Sequence, residues 1–183
     1  ATFEINNPES KYTLKENSLK LNEFYLSFDG YYQMPDSITQ RMDISFQAEK
    51  TEFANILSLI PAIYLHDYQD MKTSGQVAFN GSVKGDLIDE NYPAIEFNMG
   101  VRDASLSYPD LPEKLNNANL DLSVSKKQGD LDLMLINLKK LHFELGKEPF
   151  DAKLLLATPM SDPDMDGSVK GTINLGRIKN LIP

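Results

Sequence analysis

The residues able to do chemistry are few and scattered. Asp162, Asp164 and Asp166 stand at alternate positions. A calcium loop uses carboxylates spaced this way, but it also needs a glycine at its sharp turn and a glutamate at a fixed distance. A strand pattern begins at Met165, so these acids line the wet face of a strand, and Pro163 suits a strand entrance. His66 follows the end of a helical pattern, where a cation is mildly favoured. His142 alternates with Leu141 and Phe143 and so points to a polar face. Neither has a local partner for metal ligation or for general-base work.

The 27 Asp and Glu residues could supply a carboxylate pair for glycoside hydrolysis. Such a pair must flank a polar cleft at a separation set by mechanism, and nothing in the spacing selects one. No serine sits in a G-x-S-x-G elbow. Gly167–Gly171 lies in a strand pattern and lacks the Lys-Ser/Thr of a phosphate loop. Cysteine is absent, which excludes disulfides, thiolate catalysis and cysteine zinc sites and suits an exported protein. The reading is therefore a non-enzyme with no catalytic residue, no cofactor and no metal.

The elements that would position these groups are mostly strands. Leu19–Leu21, then Phe24–Phe28, Met42–Ala48, Val77–Gly85, Ile95–Val101, Leu106–Tyr108, Leu120–Val124, Leu131–Leu135, Leu141–Leu145, Phe150–Leu156 and Met165–Ile173 alternate apolar with polar residues. That period of two marks a strand with one wet and one dry face. Asp29-Gly30 is a hairpin signal, and Pro35–Ser37 is a second turn. Thr51 is a candidate N-cap, with Phe53, Ile56, Leu57 and Ile60 after it at helical spacing. Pro61 ends or kinks that helix, with a second turn over 62–65. Tyr108–Pro112 is a stiff turn opening one helical turn through Leu115.

The block Met165–Pro183 repeats Met42–Pro61. Met, Asp and Ser match at Met42/Met165, Asp43/Asp166 and Ser45/Ser168, and Ile, Leu, Ile and Pro match at the far end after a one-residue gap. Both read as a strand feeding a short helix, within an internal repeat of approximately 17–61 and 134–183. A repeat of this kind is expected in a longer array.

The expected fold is mainly β with a few short helices. A long antiparallel, strongly curved sheet, a trough or half-barrel, carries short helices at its ends and two related β-plus-helix repeats. Gly81, Gly85, Gly167 and Gly171 on the inner side favour curling; a sandwich is the other way to cover the apolar face. The 183 residues make a single β-rich module, 1–183, expected to be a fragment of a larger chain, as the start at Ala1 suggests. Net charge is -9 with no basic stripe, which argues against a nucleic-acid partner. No apolar run approaches the roughly 20 residues of a membrane span.

Five segments together resemble the AsmA-like family of bacterial envelope proteins in its Bacteroidetes-type form. They are FANILSLIPAIYLHD (53–67), KTSGQVAFNGSVKG (72–85), YPDLPEKLNN (108–117), LKKLHFELGKEPFDAKLL (138–155) and SDPDMDGSVKGTINLG (161–176). The resemblance covers most of the chain from about residue 17. It implies a periplasmic β-rich protein, anchored in the inner membrane by an N-terminal helix not present here. It also implies a relation to repeating-groove proteins thought to carry lipid between membranes.

The apolar stripes admit two readings. In the first, they form a groove that binds or conveys phospholipid or other acyl chains for outer-membrane biogenesis. The candidate lipid contacts are Leu131, Leu133, Leu135, Leu141, Phe143, Leu145, Leu154 and Leu156. In the second, they are packed core, and the module is a non-catalytic structural or protein-binding part of the envelope with an envelope protein as partner. A carbohydrate-binding reading would need an exposed aromatic platform; Tyr31, Tyr32, Tyr64, Tyr68, Tyr92 and Tyr108 are its scattered candidates.

Overall fold

The computed structural model describes residues 2–57, 71–107 and 113–172. Ten strands succeed one another as β1 (Thr2–Asn6), β2 (Lys11–Leu21), β3 (Phe24–Gln33), β4 (Gln40–Glu52), β5 (Lys72–Leu87), β6 (Ala94–Ser107), β7 (Leu115–Lys126), β8 (Met134–Leu145), β9 (Glu148–Ala157) and β10 (Asp164–Gly171). They form a single sheet in strict chain order, every neighbouring pair antiparallel. One short helix, α1 (Phe53–Leu57), comes directly after β4. At ~4.8 Å between neighbours, nine gaps make the sheet about 43 Å wide. Among the described residues no helix is long and apolar enough to cross a membrane.

The expected strongly curved trough is not what forms. The sheet is open, with β1 and β10 as its edges; it does not close into a barrel and is not strongly curved, and it carries one helix among the described residues. The reason lies in the glycines. At Gly81 an added Cβ would lie 2.5 Å from Cζ of Phe46 and 2.8 Å from the carbonyl oxygen of Glu96. At Gly171 it would lie 2.7 Å from the Phe150 ring, at Gly167 2.9 Å from the carbonyl oxygen of Lys153 and 3.3 Å from Leu154, and at Gly85 it would meet Oε1 of Gln128. The missing side chains are thus replaced by neighbours lying across them. Phe46, Phe79 and Phe97 cluster over Gly81 with ring centroids 6.1–6.5 Å apart. Rings that cover a strand glycine stiffen the sheet where bare backbone would bend.

Two turns also differ from expectation. Asp29-Gly30 lies inside β3, with Gly30 opposite Leu14 and Ile44. The hairpin is instead the two-residue loop Asn22–Glu23, where Asn22 takes φ 55°. Asparagine tolerates that conformation better than most residues. Thr51 is buried within β4 and accepts from Nδ2 of Asn55 at 3.3 Å. The helical residues beyond Leu57, the Tyr108–Pro112 turn and the second half of the later repeat fall outside the described residues; Leu115 opens β7 rather than ending a helical turn. β4 and β10 run in the same direction, and Met42 and Met165 share one face while Ser45 and Ser168 share the other.

The core is thin. Among the described residues the buried apolar side chains are Phe24, Ala48, Val77, Val101 and Ala104, with Pro93. Phe53 and Ile56 of α1 pack on the Val77–Val101–Ala104 cluster, covering one end of one face. The surface area is 12126 Å², whereas a compact protein of this mass exposes about 8,900 Å². An open sheet with an uncovered face contributes to that excess.

Candidate functional site

Residues directly opposite in neighbouring strands point to the same face of a sheet, so the registers assign every side chain to a side. One row reads Met165, Leu156, Ile136, Val124, Phe97, Gly81, Phe46 and Phe28 from β10 to β3. The next reads Gly167, Leu154, Leu138, Leu122, Met99, Phe79 and Ala48. A third reads Val169, Ala152, Leu141, Leu120, Val101, Val77 and Thr51. Three apolar rows thus cross the sheet. On the reverse face the matching row is Ser18, Ser27, Gln47, Asn80, Asn98, Ser123, Asn137, Leu155 and Asp166. The two faces are chemically opposite, as alternation in a half-wetted antiparallel sheet dictates.

The pattern survives several breaks in register. Shifts fall at Lys15–Glu16 in β2, Glu49–Lys50 in β4, Arg102–Asp103 in β6 and Lys139–Lys140 in β8. Glu16 and Asp103 take φ near 50° there. A bulge that adds one residue reverses the phase of the strand downstream of it. In β8 the apolar face carries Met134, Ile136 and Leu138 before the bulge and Leu141, Phe143 and Leu145 after it.

The eight leucine and phenylalanine candidates therefore divide. Leu141, Phe143, Leu145, Leu154 and Leu156 share the apolar face, with Phe143 stacked on Phe150 at 4.8 Å between centroids. Leu135, opposite Ser125, points to the polar face, and Leu131 and Leu133 lie in a 3-10 turn before β8. Absent from the eight are Ile136, Leu138, Leu120, Leu122 and Val124, which occupy the middle of the apolar face. Their signal was the Leu120–Val124 alternation, and for β8 the doublet Lys139-Lys140. The expected groove is not formed: the apolar face is an open surface on a sheet that is not strongly curved.

One cation sits on that face. Lys126 is 2% exposed, and its Nζ donates to the carbonyls of Tyr92, Lys127 and Gly129 at 3.2, 2.9 and 3.1 Å. Burial lowers its pKa, and Asp130 partly opposes that. Tyr92 and Gly129 also exchange backbone hydrogen bonds, both 2.9 Å. This polar knot closes the end of the face opposite α1.

The chemical candidates stay apart. His142 pairs across the sheet with Asp151, nine residues away in sequence, Nδ1 to Oδ1 2.8 Å. No nucleophile stands beside them in the register. Asp164 and Asp166 lie on the polar side of β10, and among the described residues no group of acids and histidines is disposed to hold a metal ion. Tyr31 lies on the polar face under Nζ of Lys11, while Tyr32 is on the apolar face; His66, Tyr64, Tyr68 and Tyr108 are outside the described residues. The polar face holds a depression of about 830 Å³ beside Ala78 and Gly100.

The chain matches no family model, no curated protein and no solved structure.

Proposed function

We propose that this chain is a periplasmic module of an AsmA-like envelope protein that offers an open apolar sheet face to lipid acyl chains during outer-membrane biogenesis. Anchoring of the parent chain in the inner membrane by an N-terminal helix belongs to the same proposal. The observation that carries it is the set of three continuous apolar rows, covered among the described residues only at the ends, by α1 and by the Lys126 knot. Apolar patches beyond a few hundred Å² mark interaction surfaces, and this one runs from β3 to β10. The concentration of polar residues on the reverse face supports a surface kept apolar for contact.

Geometry sets the strength. Burying a dozen methylenes completely is worth about 10 kcal/mol, but an open face covers only one side of a chain, so about 5 kcal/mol remains. Immobilising the chain costs free energy as well, so the dissociation constant is no tighter than roughly a few tenths of a millimolar. Loose, sliding contact with any acyl chain is the consequence, without head-group selection.

The test is titration with a fluorescent fatty acid, together with solvent extraction and mass spectrometry of the purified protein. Leu122→Asp and Leu138→Asp, neighbours in the middle row, should abolish binding, while Ser123→Asp on the reverse face should not. A protein that carries no lipid and binds no added fatty acid contradicts the reading. A second reading, a protein-binding module, is favoured by the edge of β10, which pairs with no further strand among the described residues and whose eight residues are all exposed. An unpaired strand edge accepts another strand by backbone hydrogen bonding.

A further inference from the structure

We propose that the depression on the polar face is a binding site for an acidic sugar. It lies on the reverse of the sheet from the acyl surface and is independent of it. Its floor is Ala78, whose small side chain leaves the backbone low; its partner across β5 and β6, Gly100, lies beneath the Arg102 guanidinium. Along one side runs the amide row Gln47, Asn80 and Asn98, continued by Ser123. Nδ2 of Asn98 donates to Oδ1 of Asn80 at 3.3 Å, which leaves the other amide donors and acceptors of the row facing solvent. Alternating amide donors and acceptors suit vicinal hydroxyls, each of which both gives and takes a hydrogen bond.

Three of the sheet's bulges meet at this depression. Glu49–Lys50 in β4, Arg102–Asp103 in β6 and Lys139–Lys140 in β8 each turn a cation to its rim. Bulges re-aim side chains and recur beside functional sites. Arg102 is committed to the wall: its guanidinium lies over Gly100, donates to the carbonyls of Val101 and Leu120 at 2.9 Å each, and pairs with Asp121. Lys50 and Lys139 are in no ion pair among the described residues. In a chain of net charge -9, the two ammonium groups of Lys50 and Lys139 share the rim with one carboxylate, Glu49, so one net positive charge faces the row of amides and defines a ligand with hydroxyls and one negative charge. The chemistry is that of a uronic acid unit, alone or in a chain.

The experiment is amide-resolved NMR of the whole 183-residue protein with glucuronate, glucose and inorganic phosphate as probes. Glucuronate should shift the side-chain amides of Gln47, Asn80 and Asn98 saturably, with an affinity about tenfold above that of glucose or of phosphate. The double variant Lys50→Ala/Lys139→Ala should lose about tenfold toward glucuronate and leave glucose unchanged. Ala78→Gln, which fills the floor without touching a cation, should weaken both sugars, and unchanged signals of Leu122 and Val124 on the reverse face would show that the sheet is intact. No saturable shift with glucuronate overturns the proposal. So does equal binding of phosphate and glucuronate, which would mean a simple anion contact, or full affinity in both variants.

Discussion

Gly30 distinguishes the observed register from a turn at Asp29-Gly30. Its φ is 131°, and an added Cβ would meet the carbonyl oxygen of Asp43 at 1.9 Å and Cα of Ile44 at 2.8 Å. Both are backbone atoms of the adjacent strand, so no rotamer can yield. Strain at that φ costs ~1–3 kcal/mol, and forcing atoms into a filled space costs a similar ~1–3 kcal/mol. The sum for Gly30→Ala is about 3 kcal/mol or more. For a domain of this size that lowers the melting temperature by about 6–12 °C. The decisive variant is Gly30→Asn. In a primed hairpin turn asparagine is accepted and the loss would be small. Mid-strand against Asp43 and Ile44, asparagine carries the same Cβ and must lose about as much as alanine. Urea denaturation of the three proteins measures this directly, the midpoint shifting at constant slope. A Gly30→Asn variant within ~0.5 kcal/mol of the parent would refute the register.

Three further outcomes are expected. Asp132 accepts the backbone N–H groups of Met160 and Ser161 at 2.8 and 3.0 Å, and hydrogen bonding, first from the Ser161 side chain and then from these N–H groups, holds its carboxyl below the ordinary 3.8. A depressed carboxylate adds stability above the unfolded value that is lost as pH falls through the folded one. Thermal melts below pH 4 should therefore drop less steeply in Asp132→Asn than in the parent. Lys126→Met removes the Nζ donor from the carbonyls of Tyr92, Lys127 and Gly129; the first and last keep their mutual backbone bonds, and that of Lys127 is left unpaired. About 2 kcal/mol should be lost, with hydrogen exchange at the Tyr92 and Gly129 amides accelerating first. Breaking the Arg41–Asp86 pair, 2.7 Å between Nε and Oδ1 but partly exposed to solvent, should change stability by less than ~1 kcal/mol in Arg41→Gln, measured by the same denaturation.

The strand content and its one-sidedness were legible because a period of two needs no tertiary information. Leu120, Leu122 and Val124 read correctly from alternation alone. Phase across a bulge did not: Leu131, Leu133 and Leu135 continue the same parity as Leu141, Phe143 and Leu145, yet Lys139 inserts one residue and puts Leu135 on the other face. Only the hydrogen-bond register reveals that. Glycine was ambiguous for a similar reason. Gly81 permits a bend if bare and resists one if a phenylalanine lies over it, and Phe46 and Phe97 are far from it in sequence. Asp29-Gly30 has turn composition but serves a close strand approach. The polar depression had no linear signal, since Lys50, Arg102 and Lys139 converge only through register shifts on three strands.

The most direct measurement is paramagnetic broadening of methyl signals by a spin-labelled fatty acid. An acyl-binding apolar face predicts strong broadening at Leu120, Leu122, Val124, Ile136 and Leu154, with Leu135 and Leu155 on the reverse face spared. Broadening that is absent, or that falls equally on Leu135 and Leu155, would contradict it.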